Sequence, residues 1–91
     1  PELKLEPMDP GEVLREGIRQ GLAMADLAPG TVCPKPRVVV GAGAGPAMLD
    51  RALMSRVIAE LVANACQAGP RKFIEVGARV EDVDDQLILW V

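Results

Sequence analysis

The chain has 91 residues, 49% of them apolar and 25% charged, which fits one small domain or a piece of a larger one and argues against a disordered chain. The formal net charge is -3, and the Lys and Arg residues are scattered rather than gathered into a basic stripe, so broad nucleic-acid binding is disfavoured. There is no histidine, which removes every mechanism that needs an imidazole base, nucleophile or ligand from these residues.

Leu3, Lys4 and Leu5 alternate briefly and predict an edge strand. Asp9 then caps a helix whose first position suits Pro10, with Glu12 placed to complete a capping box and Met8 and Val13 to staple its entry. The helix is expected to run to about Ala25. Val13, Leu14, Gly17, Ile18, Gly21, Leu22 and Ala25 share one face at helical spacing. Gly17 and Gly21 each cost roughly 1 kcal/mol against Ala in a helix interior, so they point to close packing on a neighbouring element.

Pro29, Gly30, Pro34 and Pro36 mark a long loop, and residues 37–40, rich in Val, predict a buried strand. The glycines at 41, 43 and 45 invite a phosphate-loop reading. The match is poor, because Pro46 and Ala47 stand where a P-loop needs Lys and Ser or Thr. A turn between strand and helix is the better reading.

A second helix is expected to start between Pro46 and Asp50 and to end near Ala68, where Gly69 and Pro70 stop it. Two strands follow. In residues 73–80, Ile74, Val76, Ala78 and Val80 share a face; residues 86–91 are apolar on both faces, as a covered central strand would be, or one with a side open to a partner. The acidic run at Glu81, Asp82, Asp84 and Asp85 reads as the solvated turn between them, since its spacing fits no calcium loop. The last two strands should pair antiparallel, and the whole should form one sheet with helices against one face.

Cys33 lies in the Pro-rich loop and Cys66 on the second helix, as a small buried hydrophobe. With no metal-ligand cluster around them, reduced cysteines in an intracellular setting are the simpler expectation. No run approaches 18 apolar residues and no signal-peptide pattern is present. The start at Pro1 and the stop at Val91 within an apolar strand suggest a piece of a longer protein.

The second helix carries the chemistry. At about 100° per residue, Val57, Leu61, Met54, Ala65, Ile58 and Val62 sweep a broad apolar arc, and Arg56, Gln67, Glu60 and Asn64 gather beside it. Glu60 and Asn64, four apart, stack on one side. An Asn amide oxygen coordinates Mg²⁺ without adding charge, and a nearby Glu holds a metal-bound water or polarises an attacking hydroxyl. A Glu and an Asn at this spacing are also common on plain solvated helix faces.

Residues 50–65, DRALMSRVIAELVANA, resemble the N-box helix of sensor histidine kinases, of the superfamily that also contains gyrase. Asp50 matches the acidic start, Glu60 a position held by Asn in the kinases and Glu in the ATPase relatives, Asn64 the Mg²⁺-binding Asn, and Ala65 the residue after it. Residues 5–9 resemble the entry to that domain, and residues 86–91 the strand before its Asp-x-Gly-x-Gly box.

The resemblance implies a two-layer α/β sandwich of the Bergerat type. Residues 1–91 would be the N-terminal part of a histidine kinase-like ATP-binding domain, ending before the adenine-recognising Asp and its glycines. It implies ATP and Mg as cofactors, with Asn64 on the metal and the phosphates and Glu60 as the catalytic assistant. Arg56 and Gln67 flank the pocket as weaker contacts to phosphates or ribose, and Lys72, which follows the helix with Arg71, is a further weak contact to phosphate. It further implies transfer of the γ-phosphoryl group to a histidine on a separate dimerisation domain, a response regulator as the next acceptor, and a homodimer in the intact protein. The domain would be cytoplasmic, with membrane attachment of the intact protein left open. Glu at position 60 keeps open a related ATPase or an anti-sigma-factor serine kinase. A strand-edge interaction module without ATP binding is the alternative from another class.

Overall fold

The computed structural model describes residues 2–25, 33–41, 43–68, 74–81 and 86–91. Their elements run β1 (Leu5–Met8), α1 (Pro10–Met24), β2 (Arg37–Val40), β3 (Ala47–Asp50), α2 (Arg51–Gln67), β4 (Glu75–Glu81) and β5 (Gln86–Trp90). The mix of helices and strands is the one the sequence predicts. The division into sheets is not.

Both helices start where their caps dictate. The Asp9 carboxylate accepts from Gly11 N at 3.0 Å, and Pro10 takes the first helical position, where no N–H is needed. Asp50 caps α2 by accepting from Leu53 N at 3.0 Å, and its other oxygen accepts from Lys4 N at 3.0 Å. The second contact ties the start of α2 to the residue before β1. These two bonds hold the Asp50 carboxyl below its usual range, with Leu53 the larger cause. The helix stop expected at Gly69 and Pro70 and the acidic turn at 82–85 lie outside the described residues.

Two sheets replace the expected one. β1 and β3 form an antiparallel ribbon in which Leu5 faces Asp50 and Met8 faces Ala47. β3 occupies residues the sequence assigns to the turn and the helix start. β1 also lies further along than the predicted Leu3–Leu5 segment, because its register is set by β3. The second sheet has the order β2-β4-β5, with β2 parallel to β4 and β4 antiparallel to β5, as expected for the last two strands. β4, not β5, is therefore central, and β5 is an edge strand among the described residues. Its Leu87, Ile88 and Leu89 are half-buried.

The core lies between this sheet and the helices. Leu14 from α1 and Ile58, Val62 and Cys66 from α2 pack with Ile74, Val76 and Ala78. Alternation along β4 turns those three residues to one face. The shortest molecular dimension is 17 Å, enough for one sheet and one helix layer.

The two helices meet through glycines. A Cβ on Gly17 would lie 2.5 Å from Ile58 Cγ2, and one on Gly21 would lie 2.7 Å from the Ala59 carbonyl oxygen and 2.8 Å from Val62 Cβ. Ile58, Val62 and the carbonyls of Ser55 and Ala59 meet this groove, and Ser55, Ala59, Ala63 and Cys66 are buried as well. Val57 and Leu61 remain 39% and 45% exposed. The buried face is thus rotated away from the arc of largest hydrophobicity. Close approach selects for size, and a hydrophobic pattern does not reveal it. On α1, Leu22 is likewise left 40% exposed.

The cysteines are not free. Cys33 and Cys66 form a disulfide, with Cα atoms 5.3 Å apart. The expectation of reduced thiols is corrected by proximity: β2 pairs in parallel with β4, and this brings the segment before β2 against the last turns of α2.

Candidate functional site on helix α2

The rotation of α2 decides what its outer face presents. With Ser55, Ala59 and Ala63 turned to α1, the opposite side carries Arg56, Glu60, Asn64 and Gln67, all exposed. This is the stripe the sequence predicts. Leu53, Val57 and Leu61 lie in or beside it, and they too are exposed. The outer face of α2 is therefore a polar line with an apolar margin.

Arg56 Nε donates to Glu60 Oε1 at 3.2 Å, an i,i+4 pair in which both side chains are more than half exposed. The guanidinium orients the carboxylate but contributes little to stability, because water screens both groups. Asn64 follows one turn later, exposed, and its side chain makes no hydrogen bond among the described residues. Gln67 is the last residue of α2. Lys72, the remaining predicted contact, and its neighbour Arg71 lie outside the described residues.

No group of three or more His, Cys, Asp or Glu among the described residues is placed to hold a metal ion. Asn64 suits a Mg²⁺ ion bound through one or two protein oxygens and completed by phosphate oxygens and water, which is how this reluctantly dehydrated ion is usually held.

A cleft lies elsewhere. It has a volume of about 610 Å³ and lies where β1, the start of α2 and the middle of α1 converge, lined among others by Lys4, Glu16, Gln20, Asp50, Arg51 and Ser55. Several of its charges are already engaged. Arg51 Nε donates to Glu6 Oε1 at 3.1 Å, and Glu16 accepts from Arg19 and from Gln20. The bond from Arg19, then that from Gln20, pull the Glu16 carboxyl down to about 2. Ser55, 1% exposed, is different: its Oγ is buried without a hydrogen-bond partner. Sequence reading missed this cleft, because its residues come from three elements and carry no common motif.

The glycine-rich segment does not form a phosphate cradle. Gly41 N continues the sheet by donating to the Ala78 carbonyl at 2.9 Å, and Ala44 N turns back to the Gly41 carbonyl at 3.1 Å. Gly43, at φ +85°, supplies the left-handed residue of the turn. The segment leads into β3 and not into a helix N-terminus, so the helix dipole that assists phosphate loops is absent from it.

No family model matches the chain, and neither a curated protein nor a solved structure matches it.

Proposed function

We propose that these residues form the metal and phosphate side of an ATP site of the Bergerat type, in a sensor histidine kinase. The observation that carries this reading is the outer face of α2, where Glu60 and Asn64 stand one turn apart on a side the core leaves open. Three features support it. Asp50 caps this helix at the position of the family's acidic start. Ile58 and Val62, seated against Gly17 and Gly21, set the rotation of α2 and leave the polar stripe outside. The exposed Val57 and Leu61 give the stripe an apolar margin, which a ligand or a further segment would cover.

In this reading the Asn64 amide oxygen would hold Mg²⁺, which would supply charge stabilisation to the nucleotide phosphates. Glu60 would assist the transfer or organise the metal's water, with Arg56 orienting its carboxylate. Mg·ATP, when bound, supplies the phosphoryl group that is transferred. The intact protein would pass that group to a histidine on its dimerisation domain and then to a response regulator, with positioning and charge stabilisation contributing most of the acceleration. Gln67, about two turns beyond Glu60, is a secondary contact to the nucleotide.

The reading is tested with the protein encoded by the whole gene, incubated with radiolabelled ATP with and without Mg²⁺. Mg²⁺-dependent nucleotide binding and acid-labile label on the protein are expected. Acid-stable label would point to the serine kinase relative instead. Absence of nucleotide binding, with concentration-dependent dimers unaffected by Mg·ATP, would favour assembly through the β5 edge.

A further inference from the structure

We infer that the Cys33–Cys66 disulfide is a reversible redox switch for the outer face of α2, closed by exchange with a low-molecular-weight disulfide. Its link to nucleotide binding rests on the function proposed above; the structural part does not.

The bond joins two stiff elements at their functional ends. Cys66 is two residues beyond Asn64 within α2, so it cannot move without moving the turn that carries Asn64. Cys33 is followed by Pro34, Lys35 and Pro36 and then by β2. Two prolines in three residues fix their own φ angles, and pairing begins at once, with Arg37 N donating to the Ile74 carbonyl at 2.8 Å. Displacement at Cys33 is therefore passed to β2 and not absorbed in slack chain. Cys66 lies one turn beyond Val62 on the face that meets the glycines, so the disulfide clamps the last turns of α2, beyond the glycine contacts, to the segment before β2.

The two sulfur-bearing residues differ in access. Cys66 is 5% exposed and belongs to the core cluster, while Cys33 is half-buried at its margin. That difference assigns the order of events. Cys33 thiolate attacks a small disulfide, forming a mixed disulfide and releasing one small thiol. Cys66 thiolate then attacks the Cys33 sulfur and expels the second. Two protein thiols and one small disulfide thus become one protein disulfide and two small thiols, so the small molecule takes both electrons. Reduction is the reverse, with the external thiolate attacking at Cys33. In the reduced state Cys66 remains a small apolar core residue, so the helix stays packed while its last turns lose the tether.

The experiment equilibrates the whole protein across glutathione redox buffers. Three readouts are the thiol count by mass-tagged alkylation, amide hydrogen exchange of residues 60–67, and Mg·ATP affinity. A Cys33→Ala/Cys66→Ala variant serves as the redox-blind control. The expected results are reversible conversion, faster exchange in residues 60–67 on reduction, and at least about fivefold weaker Mg·ATP binding, the lower end of typical coupling between sites. The control should give one value for each at every poise. A bond that stays closed at every poise, or a protein that unfolds when it opens, would overturn the switch. So would exchange and affinity that are unchanged between the two states. If neither state binds Mg·ATP, the nucleotide reading fails, and the exchange data alone decide the switch.

Discussion

Substituting Gly21 by Ala tests whether the helix contact sets the rotation of α2. By helix propensity alone the change is favourable, by about 1 kcal/mol. The structure opposes it. The new Cβ would lie 2.7 Å from the Ala59 carbonyl oxygen and 2.8 Å from Val62 Cβ, and neither atom can be moved by changing a rotamer. Relief requires α2 to move away from α1. Overpacking of this kind costs about 1–3 kcal/mol, and the fixed neighbours place it at the upper end, for a net loss of about 2 kcal/mol. In a domain of this size that lowers the melting temperature by about 8–16 °C. Urea and thermal unfolding followed by far-ultraviolet circular dichroism measure it. Gly45→Ala is the matched control, since a Cβ there meets nothing within 4 Å, and it should change stability by no more than about 0.5 kcal/mol. A Gly21→Ala protein as stable as the wild type, or more so, would show that the helices do not touch this closely. It would also remove the reason for the exposed position of Asn64.

Three further outcomes follow from the same geometry. Opening the disulfide, whose cysteines are 33 residues apart, should lower stability by about 4 kcal/mol on the chain-entropy relation, read from urea unfolding with and without dithiothreitol; equal midpoints would contradict it. Ser55→Ala should be neutral or stabilising by up to about 1 kcal/mol, because the buried Oγ has no partner to lose and Ala is the better helix former; a clear loss of stability would mean that this hydroxyl is bonded in solution. The lowered carboxyl of Glu16 contributes stability that is present above its unfolded value, near 4.3, and disappears as pH falls toward its folded value of about 2. Glu16→Gln should therefore flatten the fall in melting temperature between about pH 4 and 2, and an unchanged slope would place the acid sensitivity elsewhere.

What the sequence revealed was local. Asp9 with Pro10 acts through a hydrogen bond within two residues, so the start of α1 was readable, whereas α2 starts at Arg51, past the expected segment 46–50 where β3 lies. The alternation of Ile74, Val76 and Ala78 also survives in the fold, because one face of β4 meets the helices. What the sequence hid depends on distant partners. β3 exists because β1 pairs with it across about forty residues, and Ala47, Met48 and Leu49 read equally well as a helix entry. The edge position of β5 follows from sheet order, to which its own apolar pattern is blind. The disulfide needed knowledge of the β2–β4 pairing, and no spacing rule supplies it. The polar stripe of α2 was legible, but its apolar margin was not. A hydrophobic wheel places Val57 and Leu61 inward, whereas the glycines of α1 seat Ile58 and Val62 and leave Val57 and Leu61 exposed.

The role given to Asn64 is the most direct point of test. Mg·ATP affinity should be measured by calorimetry on the whole protein, with and without Mg²⁺, for the wild type and for Asn64→Ala and Asn64→Asp. If the Asn64 amide ligates the ion, the alanine variant should lose at least about tenfold in affinity and most of its dependence on Mg²⁺, while the aspartate variant, which keeps an oxygen but adds charge, retains metal dependence at an altered affinity. Affinity and Mg²⁺ dependence unchanged in both variants would contradict the assignment of this helix face to the nucleotide.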